Sequence, residues 1–479
     1  MMSFSVALMR SEGLKCCCAG SSGSSGRRAR NMPARRKDLK TLPGPKRPFL
    51  AGLFFVSLSL LFSASLTFAD DASVLPKGRS NGSVENLFFF PTEKRWNPHG
   101  NPEKVADVFN EKPFLLAPGA SAGDVFARFK YDFNILDTSF AYGLTDKLTL
   151  GIDVPYYWVH NYVRASLNSN PGSSATVGVN TGACVPITSA TAVLPLTLGV
   201  ACVRRFRTED IQQLIGPGLK VGNNVTVGGL GFKRVQPFFA DGLGDIAAMA
   251  KYGYFRNQDW RLAVAGGVRF PTGRQDDPND LTDVAWSTGA WALLLRFHHD
   301  YVLSNLWKEK SAAGTWEIPQ PGDLILDFTF RYDWVLPDQA TLRIGAPEIP
   351  LVPLSQRERV DRNLGDRFEI EFAGKYHLFR SLSVSALYKY GWKVEDQITG
   401  HKTFPTGGLE KDSDSTEQIF IVRGTYSTLP LYLERKFPIP LNLTVAYRDR
   451  FAGSGPRNAA SPSQYLTTRY ISLSLNVVF

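Results

Sequence analysis

Apolar and polar residues alternate along most of this chain in segments of about ten, and the last segment shows the pattern most plainly. In YISLSLNVVF, residues 470–479, Ile471, Leu473, Leu475, Val477 and Phe479 fall on one side of an extended strand. Ser472, Ser474, Asn476 and Val478 fall on the other. Side chains alternate across a strand, so this pattern asks for one apolar and one polar environment. A membrane barrel meets the demand with lipid outside and a wet lumen inside. A soluble sandwich edge meets it with a core and water, but such an edge seldom runs to the final residue, because free ends fray. An outer-membrane barrel instead closes its last strand against its first. A terminal aromatic such as Phe479 is the kind of signal its assembly machinery reads.

The same period recurs upstream between breaks of Gly, Pro, Asn or Asp. Val125, Ala127, Phe129, Tyr131 and Phe133 oppose Arg128, Lys130, Asp132 and Asn134. Leu324, Leu326, Phe328, Phe330 and Tyr332 oppose Asp327, Thr329 and Arg331, and Phe368, Ile370 and Phe372 oppose Glu369 and Glu371. Tyr388 and Tyr390 oppose Lys389, while Leu443, Val445 and Tyr447 oppose Thr444 and Arg448. Aromatic residues gather near segment ends, as in Tyr156-Tyr157-Trp158, which is where interfacial girdles form. After residue 69 no apolar run reaches the ~18–20 residues of a membrane helix. The pattern predicts an all-β fold, a transmembrane antiparallel up-and-down β-barrel of about 12 strands, with a range of about 10–14. Short turns fall at 145–147, 256–259 and 380–381; long loops fall at 163–241, 272–284, 336–366, 395–415 and 452–465. Eleven strands are evident. A twelfth comes either from residues 84–92 or from splitting 124–143.

Composition changes the picture in one respect. The chain of 479 residues carries a formal charge of +10, which by itself suggests a nucleic-acid partner. Residues 1–69, however, hold 11 Lys and Arg against 2 Asp and Glu, so the rest is nearly neutral and no nucleic-acid partner is expected. Basic residues 35–47, the apolar run Phe49–Phe62 and the small residues around Ala69 have the order of a secretory signal peptide; an uncleaved anchor is the alternative. The expected organisation is a leader at 1–69, a periplasmic or plug segment at 70–123, and a barrel at 124–479 with an extracellular insertion at about 163–241. The expected location is the bacterial outer membrane, with its lipid and the barrel assembly machinery as partners.

Candidate chemistry is sparse. Arg128, Lys130, Asp327, Arg331, Glu369, Glu371, Lys389 and Arg448 are the expected lumen-lining charges, either a selective lining or ion-pair ladders that fill the interior. Cys184 and Cys202 are the exported cysteines, and in an oxidising compartment they can pair or stay free. No Cys/His spacing reads as a metal site, and no cofactor is expected. No Ser/His pair stands out at strand spacing, so a barrel enzyme is not expected.

Three stretches, YGLTDKLTLGIDVPY (142–156), GLGDIAAMAKY (242–252) and GVRFPTGR (267–274), resemble the outer-membrane proteins grouped under the meta-pathway of phenol degradation. The resemblance covers mainly residues 138–300 and the terminal strand, and the 163–241 stretch is longer than that family's usual loop. It implies a passive or gated route for a small molecule, aromatic or otherwise hydrophobic. A structural or adhesion barrel, presenting the insertion outside, is the alternative. Each motif also has a structural reading: an Asp-stabilised turn, glycines where a loop enters a strand, and a proline where a strand leaves the sheet.

Overall fold

A computed structural model describes residues 71–110, 113–196, 202–222, 225–308, 316, 319–346, 349, 351–455 and 465–479. The expected leader lies outside the described residues. Twelve antiparallel strands close into a barrel. They are β1 (Ser80–Phe89), β2 (Ala120–Thr145), β3 (Leu148–Asn168), β4 in two parts (Phe238–Leu243 and Ile246–Arg256), β5 (Trp260–Phe270) and β6 (Ala292–Val302). The circuit continues through β7 (Leu324–Val335), β8 (Arg367–Phe379), β9 (Leu382–Lys393), β10 (Ser415–Ser427), β11 (Leu441–Ser454) and β12 (Arg469–Val478).

Closure falls on the terminal segment. β12 pairs with β11 on one side and with β1 on the other, placing Val84 opposite Leu475 and Glu85 opposite Ser474. Beyond the last residue of β12, Phe479 and Ser80 exchange two backbone hydrogen bonds of 2.8 and 2.9 Å. An open edge would leave a row of unpaired N–H and C=O groups in hydrocarbon, so the first and last strands must meet. This corrects the expectation that 70–123 is one periplasmic or plug segment. Ser80–Phe89 is the twelfth strand, and 124–143 stays unsplit within the 26-residue β2. β3 also runs five residues past 163, because its end pairs with the start of β2; the insertion follows Asn168.

The outer face of the closing region is apolar. Ile471, Leu473, Leu475, Leu443 and Val445 are all exposed there, while Ser472 and Ser474 are buried against the inside. Tyr388, Trp334, Trp158 and Tyr162 add exposed aromatic rings. This is the surface a bilayer covers. Turns at 146–147, 257–259 and 380–381, and the longer links 303–323 and 428–440, join strands at the end that also holds Ser80 and Phe479; the insertion and the 271–291, 336–366 and 394–414 loops lie at the other.

The insertion packs Val177, Val179, Phe206, Leu214, Leu219 and Val221 into a small core together with Ala122 of β2. The short helix expected near residues 211–214 spans Thr208–Ile215. Asp210 opens it, accepting from the Arg207 backbone N–H at 2.7 Å and pairing with Arg204. A carboxylate there satisfies an orphan N–H and favours the positive end of the helix dipole.

Candidate functional site: the barrel lumen

Inward positions of the strands enclose a cavity of about 1590 Å³. Outside that lining, toward the turn end of the barrel, the segment leading into β1 crosses the interior and bonds to inward side chains of the strands. The Ala72 N–H donates to both carboxylate oxygens of Asp300 at 2.9 Å. Lys251 Nζ donates to the Asp71 carbonyl at 2.8 Å, and the Leu75 N–H donates to Thr149 Oγ1 at 2.8 Å. Burial alone would raise the Asp71 carboxyl, but Arg261 and Lys251 hold it below the usual carboxylate range. Two inward glycines make the crossing fit. A Cβ at Gly143 would collide with the Pro76 and Leu75 carbonyls, and one at Gly253 would press on the Val74 side chain.

The roof is built from loops held by one side chain. Arg343 donates to the carbonyls of Leu230, Gly231 and Val352 and to Asn279 Oδ1, at 2.7–3.2 Å, with its guanidinium 3.8 Å from the Phe232 ring centre. It thus ties the insertion, the 336–366 loop and the 271–291 loop together. The 271–291 loop carries Asp276, Asp277, Asp280 and Asp283. Burial first, then the other three carboxylates, push the Asp276 carboxyl up to about 7.

The two parts of β4 join at a break near Gly244. The Gly244 carbonyl accepts from Thr272 Oγ1 at 2.6 Å, and the Gly273 N–H donates to Asp245 Oδ1 at 3.0 Å. A Cβ at Gly244 would crowd the Tyr157 ring and Pro155. The stretches GLGDIAAMAKY and GVRFPTGR therefore meet in space. Trp286 bonds Leu243 O at 2.8 Å and stacks on Tyr157 at 5.6 Å.

Charges line one arc of the wall in a continuous chain. Arg269 on β5 pairs with Asp333 on β7 at 2.7 Å, and Arg331 on β7 pairs with Glu371 on β8 at 2.9 Å. Lys389 on β9 sits 2.7 Å from Glu369 and 3.6 Å from Glu417 on β10, which pairs with Arg450 on β11 at 2.7 Å. Of the expected lumen charges, Asp327, Arg331, Glu369, Glu371, Lys389 and Arg448 stand on inner-face positions. Arg128 and Lys130 do not. They are exposed on the outer face beside Phe126, and Arg128 pairs with Glu93, while Ala127, Phe129 and Tyr131 are buried inside. The alternation is correct there but its chemistry is inverted, because this part of β2 packs its inner face on Val105, Val159, Val163 and Leu466.

Aromatic residues that the sequence did not place inside complete the interior. Tyr131, Phe133, Phe89 and Tyr470 form an aromatic run over β2, β1 and β12, with successive ring centres 6.3, 5.9 and 4.6 Å apart. Each sits at an inward position, but their contacts join strands far apart in sequence, so no local pattern could reveal them. In the insertion, the Cys184 and Cys202 side chains lie in hydrogen-bond contact, which pushes the Cys202 thiol up. Both are free thiols here.

No protein-family model and no curated protein matches this sequence. Among solved structures, an outer membrane channel from Pseudomonas putida F1 is 14% identical, with 85% of this chain and 98% of that one covered and a TM-score of 0.44. A Pseudomonas aeruginosa FadL homologue is 11% identical (85% and 91% covered, TM-score 0.30). The toluene transporter of Ralstonia pickettii is 10% identical (84% and 90% covered, TM-score 0.30). Values this low transfer no function.

Proposed function

We propose that this chain is a bacterial outer-membrane barrel that conducts a small molecule across the bilayer, passively or through a gate. The observation that carries the reading is the cavity of about 1590 Å³ beneath the Arg343-tied roof, inside a closed barrel with an apolar outer face. An interior of ~8 strands is filled by side chains and one of ~16–18 is an open aqueous channel, so twelve suit a narrow, selective route. Ligand pockets commonly run ~300–1,000 Å³, which leaves room here for a small solute and water. The resemblance of residues 142–156, 242–252 and 267–274 to the phenol meta-pathway group supports an aromatic or hydrophobic cargo.

A surface-binding role for the 169–237 insertion is the second reading, favoured by the core it builds at the loop end of β2 and β3. Solute uptake into proteoliposomes separates the two. The conduit reading expects flux that rises when Asp71–Pro76 is removed from the exported chain; an adhesion barrel shows no flux in either form. We also propose that Cys184 and Cys202 are bridged on export, tying the insertion. Thiol labelling of the purified protein is then expected only after reduction, and full labelling without reductant excludes the bridge.

A further inference from the structure

Of the cations on barrel strands that line the cavity, two make no ion pair among the described residues. Arg367 stands on the inner face at the loop end of β8 and lines the cavity. Among the described residues it makes no ion pair or side-chain hydrogen bond; Tyr465, Asp333, Glu417 and Glu369 act on it only at longer range. Arg448, on β11, also lines the cavity. It donates to the Tyr470 hydroxyl at 3.0 Å with its guanidinium 5.3 Å from that ring centre, while its buried Nε has no partner. The carboxylates nearest to them are engaged elsewhere: Glu417 by Arg450 and Lys389, Glu369 by Lys389, and Asp333 by Arg269 and Arg296.

A half-buried guanidinium without a counter-charge leaves its donors open to an anion that enters the lumen. Here the cation at Arg448 caps the aromatic run through Tyr470 and Phe89, so a charged head and a flat apolar body would be met side by side. Asp137 and Asp153 line the cavity from β2 and β3, and the inner faces of β12, β1, β2 and β3 carry no Lys or Arg. An anion is therefore directed to the Arg367 and Arg448 side.

We infer that the lumen holds a binding site for a small aromatic carboxylate, its carboxylate on Arg448 and Arg367 and its ring against Phe89, which Tyr470 backs. This rests on the conduit reading and narrows its cargo from hydrophobic molecules in general to amphipathic organic anions.

The test titrates the folded full-length exported barrel in detergent with benzoate, benzyl alcohol and benzylamine, following tryptophan fluorescence or calorimetry, beside uptake into proteoliposomes. Benzoate is expected to bind about tenfold or more tighter than the other two, since charge-assisted bonds are lost with the carboxylate. Arg448→Gln and Arg367→Gln are each expected to weaken benzoate about tenfold and leave benzyl alcohol unchanged. Two variants are used so that one that fails to fold leaves the other informative; folding is read by heat-modifiability. Equal binding of the three probes, or benzoate affinity unchanged in a folded variant, overturns the site. Flux of a neutral solute without benzoate preference overturns the site and keeps the conduit. Benzoate binding without any flux keeps the site and overturns the conduit.

Discussion

Two halves of one strand obey opposite chemical rules. In the lower part of β2, Phe140, Tyr142 and Leu144 are exposed on the outer face, while Ser139 and Ala141 are buried inside and Asp137 lines the cavity. In the upper part, Arg128 and Lys130 face outward and Phe129 and Tyr131 are buried inside. The register is unbroken from Leu136 up to Asp124, with each residue paired to β3. Nothing in the backbone distinguishes the halves. What differs is the solvent on each side: lipid outside and a polar lumen inside below, water outside and a loop-filled core inside above. A period of two fixes which residues share a face, but not which face meets which medium.

The strongest way to break this comparison is to empty the upper core. Tyr131 is fully buried against Phe129, Val159 and Val163. Tyr131→Ala is expected to cost about 3–5 kcal/mol, as other large aromatic truncations in cores do. Urea unfolding of the barrel in vesicles measures it, and a loss below ~1 kcal/mol would mean that the upper barrel is loosely packed rather than cored.

Inverting the outer face comes next. Leu473 pairs with Asn86 near the middle of β1 and is exposed to the bilayer side. Leu473→Arg is expected to cost ~2–4 kcal/mol, because the ion loses hydration at depth. Phe126→Arg, on the outer face of the upper half, is expected to be nearly silent. Equal losses of heat-modifiable barrel in both variants would place the two positions in the same medium.

A smaller effect follows from pH. Asp276 holds its proton more tightly when folded, up to about 7 against an ordinary 3.8. Its stabilising contribution is therefore full below about 3.8 and is lost as pH rises through about 7. The protection of the 271–291 loop amides, taken relative to their intrinsic exchange rate at each pH, is expected to fall from pH 5 to pH 8, while that of β7 stays constant. Asp276→Asn is expected to flatten the profile, and an unchanged pH dependence in that variant would assign it to another group.

The smallest expected effect is at Arg128, whose pair with Glu93 is solvent-exposed. Arg128→Ala is expected to leave unfolding unchanged within error, since exposed pairs contribute little. A large loss there would return Arg128 to the interior, where the alternation pattern by itself had assigned it.

Much of the barrel was legible in the sequence because strand existence is local. Alternation at 324–332, 368–372 and 441–447, punctuated by turn residues, marks strands whatever surrounds them, and the apolar series ending at Phe479 marked the strand that closes the ring. The need for an even count also pointed to a twelfth strand, from 84–92 or from a split of 124–143, and closure through Ser80–Phe89 decided for the first. The charges at 327, 331, 369, 371, 389 and 448 could be assigned to one face by period alone.

The tertiary structure decided everything that depends on height and on distant partners. Only the fold shows that β2 rises beyond the apolar band, which reverses the roles of Arg128 and Tyr131. Only the fold brings residues 71–76 against Lys251 and Asp300, or gathers three loops on Arg343. Only the ring of strands reveals that Glu417 and Glu369 are already engaged and that Arg367 and Arg448 are not. Alternation is a property of neighbouring residues, set by backbone geometry. Medium, counter-charge and cavity are properties of what lies across the barrel, and those neighbours are set by closure.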